Sequence, residues 1–381
     1  MELLDTRSGE RRPVPDGPVR IYVCGVTPYD TTHLGHAFTF VQFDTLVRAL
    51  RWLGRPVHYV QNVTDVDDSI LIRARALGVD WKRLGDEQLD RYLADMRALG
   101  VADPDRLVRA TEAIPTILEL AARLVERGCA YPVTGGTVFF RVRAWPTYGE
   151  LSRLDRATML AIAGQQDDAD VDDPRKEDPL DFALWKGWSG RDDEPRWDSP
   201  WGPGRPGWHI ECAAINLREH GPQVTIHGGG RDLLFPHHES EAAISEAATG
   251  VRPFVRLWVH SAMVRMAGEK MSKSLGNMVF VEELLPRAGA GALRLYLLSY
   301  RYRDEWDWSE AALAAARTRL DRLFEAAAGP DRDDGAREAF RAALEDDLDT
   351  PAALDALERA GGSTLRELAG VLGLRLGPST G

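Results

Sequence analysis

One passage of strand, turn, helix and strand constrains the fold of this chain more than any other. Arg20-Ile-Tyr-Val-Cys24 is a short apolar run of strand character, and Cys24-Gly-Val-Thr-Pro-Tyr-Asp-Thr-Thr-His-Leu-Gly-His36 is a turn. From Ala37 to Leu53 apolar residues recur at helical spacing, and Val57-His-Tyr-Val-Gln-Asn-Val63 is a second buried strand. A helix of this length between two strands allows a crossover, so the strands are expected to be parallel, with ligands gathering at their carboxyl ends. His33-Leu-Gly-His36 stands at the amino end of that helix, where unpaired N–H groups would seat phosphate. Taken alone, such a tetrapeptide is more often a pair of histidines that merely cap a helix. Thr64-Asp-Val-Asp-Asp68 follows the second strand, which should bring Thr64 and Asp65 to the same crevice. The same acidic residues would also suit a helix N-cap and first turn.

A second stretch, Gly268-Glu-Lys-Met-Ser-Lys-Ser-Leu-Gly276, has the character of a loop. Of 47 basic residues only five are lysines, and Lys270 and Lys273 fall together here. A chain that otherwise uses arginine for surface charge thus places two compact ammonium groups where they could meet developing phosphate charge.

The rest of the chain fits around these two stretches. Residues 69–130 read as mainly helical, broken at Gly78, Gly100 and Pro104, and Gly135 to Arg141 as a strand after a glycine turn. From Ala163 to Pro206 the pattern weakens into an acidic run and a Gly-, Pro- and Trp-rich segment. A helix follows from Trp208 to about Glu219. Val224 to Gly230 reads as a strand ending in three glycines, which permit close approach of the main chain to a ligand. Leu257 to His260 is another strand, and beyond about Glu282 the character is helical, with Ser309 and Asp349 placed as N-caps.

The length of 381 residues implies two or three domains. No apolar run approaches the roughly 20 residues that cross a bilayer, and the N-terminal residues lack a signal-peptide core, so a cytoplasmic address is expected. Cys24, Cys129 and Cys212 are odd in number and far apart, which argues for reduced thiols. A net charge of −12 disfavours binding a polyanion unless arginines cluster locally, as within Arg48–Arg55 or Arg294–Arg303. Cys24 and Cys212 neighbour the expected crevice, and His237 and Glu241 stand one helical turn apart. Two thiolates, an imidazole and a carboxylate would suit a tetrahedral Zn2+ ion, while two inert buried cysteines fit the spacing as well.

His33-Leu-Gly-His36 and Lys270-Met-Ser-Lys-Ser274 resemble the HIGH and KMSKS motifs of class I aminoacyl-tRNA synthetases. The surroundings are similar to the cysteine branch, which holds cysteinyl-tRNA synthetase and its paralogue, the mycothiol-pathway ligase that joins cysteine to glucosaminyl-inositol. The resemblance runs from about Arg20 to about Thr350. It includes Asn62-Val-Thr-Asp-Val-Asp-Asp68, Asp178-Pro-Leu-Asp-Phe-Ala-Leu-Trp185, Gly204-Arg-Pro-Gly-Trp-His-Ile-Glu-Cys212 and His227-Gly-Gly-Gly-Arg-Asp-Leu-Leu-Phe-Pro-His-His-Glu239.

The resemblance implies an α/β fold with a Rossmann-like parallel sheet, a connective insertion and an α-helical C-terminal domain. Its parts would be residues 1–110 and 201–285 as the two halves of the catalytic domain, 111–200 as the insertion, and 286–381 as the helical domain, with no separate anticodon-binding domain apparent. It implies an ATP-dependent ligase that forms cysteinyl-adenylate, with Mg2+ accompanying ATP and Zn2+ held by Cys24, Cys212, His237 and Glu241. His33, His36, Lys270 and Lys273 would act on the phosphates. Gly35, Thr39, Gly230, Asp232, Val264, Ser272 and Ser274 would contact ATP or the adenylate, and Thr27, Thr64 and Trp208 the cysteine. The mycothiol ligase usually lacks a carboxylate at the position of Glu241.

For the acceptor, Val26-Thr-Pro-Tyr29, Leu154 to Leu160 and Glu211-Cys-Ala-Ala-Ile215 lean toward the amino-sugar ligase. Glu241, His227, Asp181 to Lys186 and Ala163 to Asp168 lean toward cysteine–tRNA ligase. The sequence therefore favours tRNA(Cys) narrowly, with the amino sugar close behind and a non-catalytic adenylate- or tRNA-binding relic a remote third. A monomer is expected.

Overall fold

A computed structural model describes residues 1–166, 171–271 and 275–377; the side chain of Lys270 lies outside this description. The chain opens on an antiparallel hairpin, β1 (Glu2–Asp5) and β2 (Glu10–Pro13). The expected passage follows as β3 (Val19–Val26), α1 (Leu34–Trp52) and β4 (Val57–Val63), with β3 and β4 parallel. Next come α2 (Asp68–Leu77), α3 (Trp81–Ala98), β5 (Arg106–Arg109) and α4 (Ile114–Glu126). β5 is a strand that the mainly helical reading of 69–130 did not include, because Arg-Leu-Val-Arg is too short to show a period and is recruited by parallel pairing with β4.

An antiparallel sheet is then built from β6 (Ala130–Pro132), β7 (Val138–Phe140), β8 (Phe182–Gly187) and β9 (Gly204–Pro206), with α5 (Arg156–Ala163) between β7 and β8. The chain returns through α6 (Trp208–His220), β10 (Val224–Gly230), α7 (Glu239–Thr249) and β11 (Val255–Ser261). The central sheet has the order β11-β10-β3-β4-β5, parallel throughout. From β3 the chain crosses one way to β4, and the later half adds β10 and β11 on the other side. The reversal lies between β3 and β10, where crevices form in such sheets.

Side chains alternate along β3. Ile21 and Val23 enter one core with α1, whereas Tyr22 and Cys24 enter the other with α4, α6 and α7. The first core continues into the remainder: β12 (Val264–Met266), β13 (Glu269–Lys270), α8 (Val281–Ala288), α9 (Ala290–Leu298), β14 (Trp306–Asp307), α10 (Glu310–Ala328), β15 (Arg332–Asp333), α11 (Ala336–Glu345), α12 (Thr350–Leu357), β16 (Ala360–Gly361) and α13 (Gly362–Val371). The late two-residue strands are minor additions to the expected helical character. Ser309 and Asp349 cap α10 and α12, accepting from Ala312 N and Ala352 N.

The arginine clusters do not form a free basic face. Arg48 and Arg51 bind Asp44 and Asp105 at 2.8 Å, while Arg301 and Arg303 bind Asp349 and Asp347. Arg294 is buried against Asp44 and donates to the carbonyls of Leu372 and Leu99. Among the described residues no helix is long and apolar enough to cross a membrane.

Candidate active site and metal centre

A cavity of about 380 Å³ opens at the carboxyl ends of β3, β4 and β10. Of the residues expected there, Cys24, Thr27, His33, Gly35, His36, Thr39, Thr64, Trp208, Cys212, Gly230, Asp232, His237 and Val264 line it. Ser272, Lys273 and Ser274 lie outside the described residues; the backbone of Lys270 sits in β13, beside Met271 at the cavity wall.

The β3–β4 register shifts between Val23 and Val26, so β3 carries one extra residue against β4. Such a bulge re-aims neighbouring side chains and here accompanies the turn of Cys24 into the interior. Gly25 fills the bulge with its N–H bonded to Asn62 Oδ1 at 2.8 Å, and a Cβ there would stand 1.7 Å from Asn62 O.

At the start of α1 the structure corrects one expectation. Leu34 N donates to Val279 O, Gly35 N and His36 N donate to His33 Nδ1 at 3.1 and 3.4 Å, and Ala37 N donates to His33 O. The first-turn amides are engaged, so phosphate contact here falls to side chains. His33 both caps the helix and stacks on His36, with ring centroids 3.7 Å apart.

Asp65 also departs from expectation. Its carboxylate accepts from Thr111 N and Oγ1 at 2.9 and 2.6 Å, away from the crevice, while Asp67 and Asp68 line the cavity. Asp67 caps α2, as the capping alternative has it.

Cys24, Cys212, His237 and Glu241 converge with all four donor atoms within 4.8 Å of one another, and all four residues are buried. Glu241 Oε1 lies 3.2 Å from both Cys24 Sγ and His237 Nε2. A tetrahedral Zn2+ ion with bonds of about 2.0–2.3 Å spaces its donors by roughly 3.3–3.8 Å, so the residues fit one. His209 Nδ1 lies 3.0 Å from His237 Nδ1, which orients the ring with Nε2 toward the cluster. Trp208 stacks on His237 at 4.2 Å and shares a face of α6 with Cys212, one turn on. Cys24, Cys212 and His237 reach the cavity, whereas fully buried Glu241 stands behind them.

Burial pushes the Cys24 thiol well up, and Cys212 beside it pushes further; burial also raises Cys212. Burial would raise Glu241 as well, but His227 and His237 outweigh it and the carboxyl is held low. A second set, Cys24, His227, His238 and Glu241, also converges, with His227 Nε2 at 3.0 Å from Glu241 Oε2. The reading of the sequence did not foresee this buried imidazole network, which continues from His238 to His260 at 2.7 Å. Its trace was there: six of the nine histidines lie between 209 and 260.

Comparison with known proteins identifies the family. A match to the family described as tRNA synthetases class I (C) catalytic domain spans residues 10–318. A protein of Frankia casuarinae named L-cysteine:1D-myo-inositol 2-amino-2-deoxy-alpha-D-glucopyranoside ligase is 47% identical over 98% of this chain and 80% of its own length. A Frankia alni protein of the same name is 50% identical over 89% of this chain and 82% of its own. A cysteine–tRNA ligase of Dehalococcoides mccartyi is 42% identical over 99% of this chain and 86% of its own. Among solved structures, Mycobacterium tuberculosis methionyl-tRNA synthetase in complex with methionyl-adenylate superposes with a TM-score of 0.64 at 19% identity, covering 90% of this chain and 81% of that one. The likeness at that identity concerns the fold. With the parallel sheet, the two-histidine turn at the head of α1 and a family match over most of its length, the chain belongs to the class I (C) tRNA synthetase catalytic-domain family.

Proposed function

We propose that this protein activates L-cysteine with ATP to cysteinyl-adenylate and passes the cysteinyl group to the amino group of an inositol-linked amino sugar. The observation that carries the activation step is that Cys24, Cys212 and His237 open into the same cavity as His33 and His36. A cysteine carboxylate oxygen attacks the α-phosphorus of ATP, the bond to the bridging oxygen breaks, and pyrophosphate leaves with the electron pair. Such chemistry needs positioning and charge neutralisation more than a covalent nucleophile.

His33 and His36 hold phosphate from the α1 side, with Gly35 allowing close approach. Lys270 and Lys273 serve the departing pyrophosphate and Ser272 and Ser274 contact ATP, with Mg2+ accompanying it. Thr39, Gly230, Asp232 and Val264 contact the adenylate, and Thr27, Thr64 and Trp208 surround the cysteine. Cys24, Cys212, His237 and Glu241 would hold a Zn2+ ion, which would supply a soft partner for the substrate sulfur that serine would match badly. In the transfer step the amine nitrogen attacks the adenylate carbonyl, the C–O bond to AMP breaks, AMP leaves with the electron pair, and the amine's proton passes to solvent.

For the acceptor, relatives at 47 and 50% identity carry the amino-sugar name and the tRNA ligase stands at 42%. The intramolecular pairing of the arginine clusters and the net charge of −12 also weigh against a polyanion. Transfer to tRNA(Cys), the narrow preference of the sequence, is the second reading, favoured by Glu241 within the cluster.

Pyrophosphate exchange with the zinc-loaded protein tests the first step: it should depend on cysteine and fall about 10²-fold or more in His36→Ala. Exchange without cysteine dependence would sink the proposal. Offering glucosaminyl-inositol and tRNA(Cys) side by side then decides the acceptor, and transfer to tRNA alone reverses the order of the two readings.

A further inference from the structure

We propose that a second cleft, of about 340 Å³, seats the acceptor, and that its chemistry selects a polyhydroxylated amino sugar without phosphate groups. This rests on the reading of the protein as a cysteine-transferring ligase and assigns the second substrate to a place. The cleft lies on the antiparallel sheet of β7 and β8, beside the activation cavity, and its volume falls in the range of roughly 300–1,000 Å³ typical of small-molecule sites. Asp68 and Gln166 line both spaces. Elsewhere the partition is thin: Trp208 and His237 face the first cavity, while His209, bonded to His237 at 3.0 Å, faces the second. Asp68 and Gln166, common to the two linings, mark the place where an acceptor amine would pass toward an adenylate in the first cavity.

The lining indicates what sits there. Four carboxylates and four basic side chains surround the cleft, a net charge of zero. Three of each are matched in place: Asp173 binds Arg175 at 2.6 Å, Glu194 binds Arg205 at 2.9 Å, and Asp68 binds both Lys186 and Arg205, while Asp181 accepts from Tyr131 Oη and Lys176 lies over the Phe139 ring. Paired charges leave hydrogen-bonding edges without the surplus of cations that a phosphate-bearing RNA end requires. Phe139, Tyr148 and Phe182 add flat apolar faces, the combination of apolar wall and few polar groups that holds a ring with hydroxyls.

The test uses the full zinc-loaded protein with two variants on this cleft, Ala183→Phe to fill it and Lys176→Ala to remove a polar edge. Initial rates are measured with glucosaminyl-inositol and, separately, with a tRNA(Cys) acceptor-stem hairpin. In both variants the KM for the amino sugar is expected to rise about tenfold, the size of one lost interaction of about 1.4 kcal/mol, while the KM for ATP moves less than about twofold. Transfer by the wild type with the sugar KM unchanged in both variants would overturn the cleft alone. No transfer to the sugar by the wild type, alongside transfer to the hairpin, would overturn both the cleft's occupant and the acceptor reading.

Discussion

Cys24 illustrates how much of the site depends on single side chains. Its thiol is pushed up by burial and by Cys212, so without metal both thiols are protonated at neutral pH while Glu241 carries charge. Binding Zn2+ must release those protons, and affinity should tighten as pH rises. Chelator competition at pH 6.5 and 8 checks the direction, and Cys212→Ser should weaken binding at both. His220 offers a separate pH handle near the start of β3, where its Nε2 lies 3.2 Å from Ile21 O. Burial holds its pKa at about 4, against about 6.5 when unfolded. The folded value is the lower one, so the stabilisation is complete above about pH 6.5 and is lost as pH falls toward 4. The loss should be on the order of 3 kcal/mol, and His220→Gln should flatten that part of a denaturant-melt profile against pH. At this scale the sequence was informative where a motif fixed the residue, as with Cys24 and His237. It did not foresee the contacts joining His227, His238 and His260 to one another's surroundings, because their partners come from separate elements.

Among the elements, the end of β3 is the most exacting. A methyl at Gly25 would collide with the carbonyl of Asn62, so Gly25→Ala must part the two central strands. A loss of about 3 kcal/mol or more is expected in chemical denaturation, together with weaker zinc retention because Cys24 is the adjoining residue. Ser309→Ala, by contrast, removes only the cap on α10 and should cost about 1 kcal/mol with the site intact. β3, α1, β4, β10 and β11 were legible because long buried runs and one helical period leave little choice. β5 was not, since four residues with arginine at each end acquire strand character only from β4. The first-turn amides of α1 were misjudged for a related reason: the group that fills one of them, Val279 O, arrives from 245 residues further on.

Over the whole molecule, the catalytic sheet and the C-terminal helices share one apolar core, and Arg294 is the polar tie across it. Removing one member of a buried ion pair typically costs about 3–5 kcal/mol, and Arg294→Ala should lower the unfolding midpoint accordingly, with Asp44 left uncompensated. Through separate nitrogens the same guanidinium ties Leu372, just beyond α13, to Asp44 on α1, the helix whose amino end carries His33 and His36. A lesion near Leu372 would therefore be felt as slack in the rod on which the proposed phosphate grip of His33 and His36 is mounted. Its enzymological signature would be a poorer hold on ATP, with discrimination between cysteine and serine left as sharp as before.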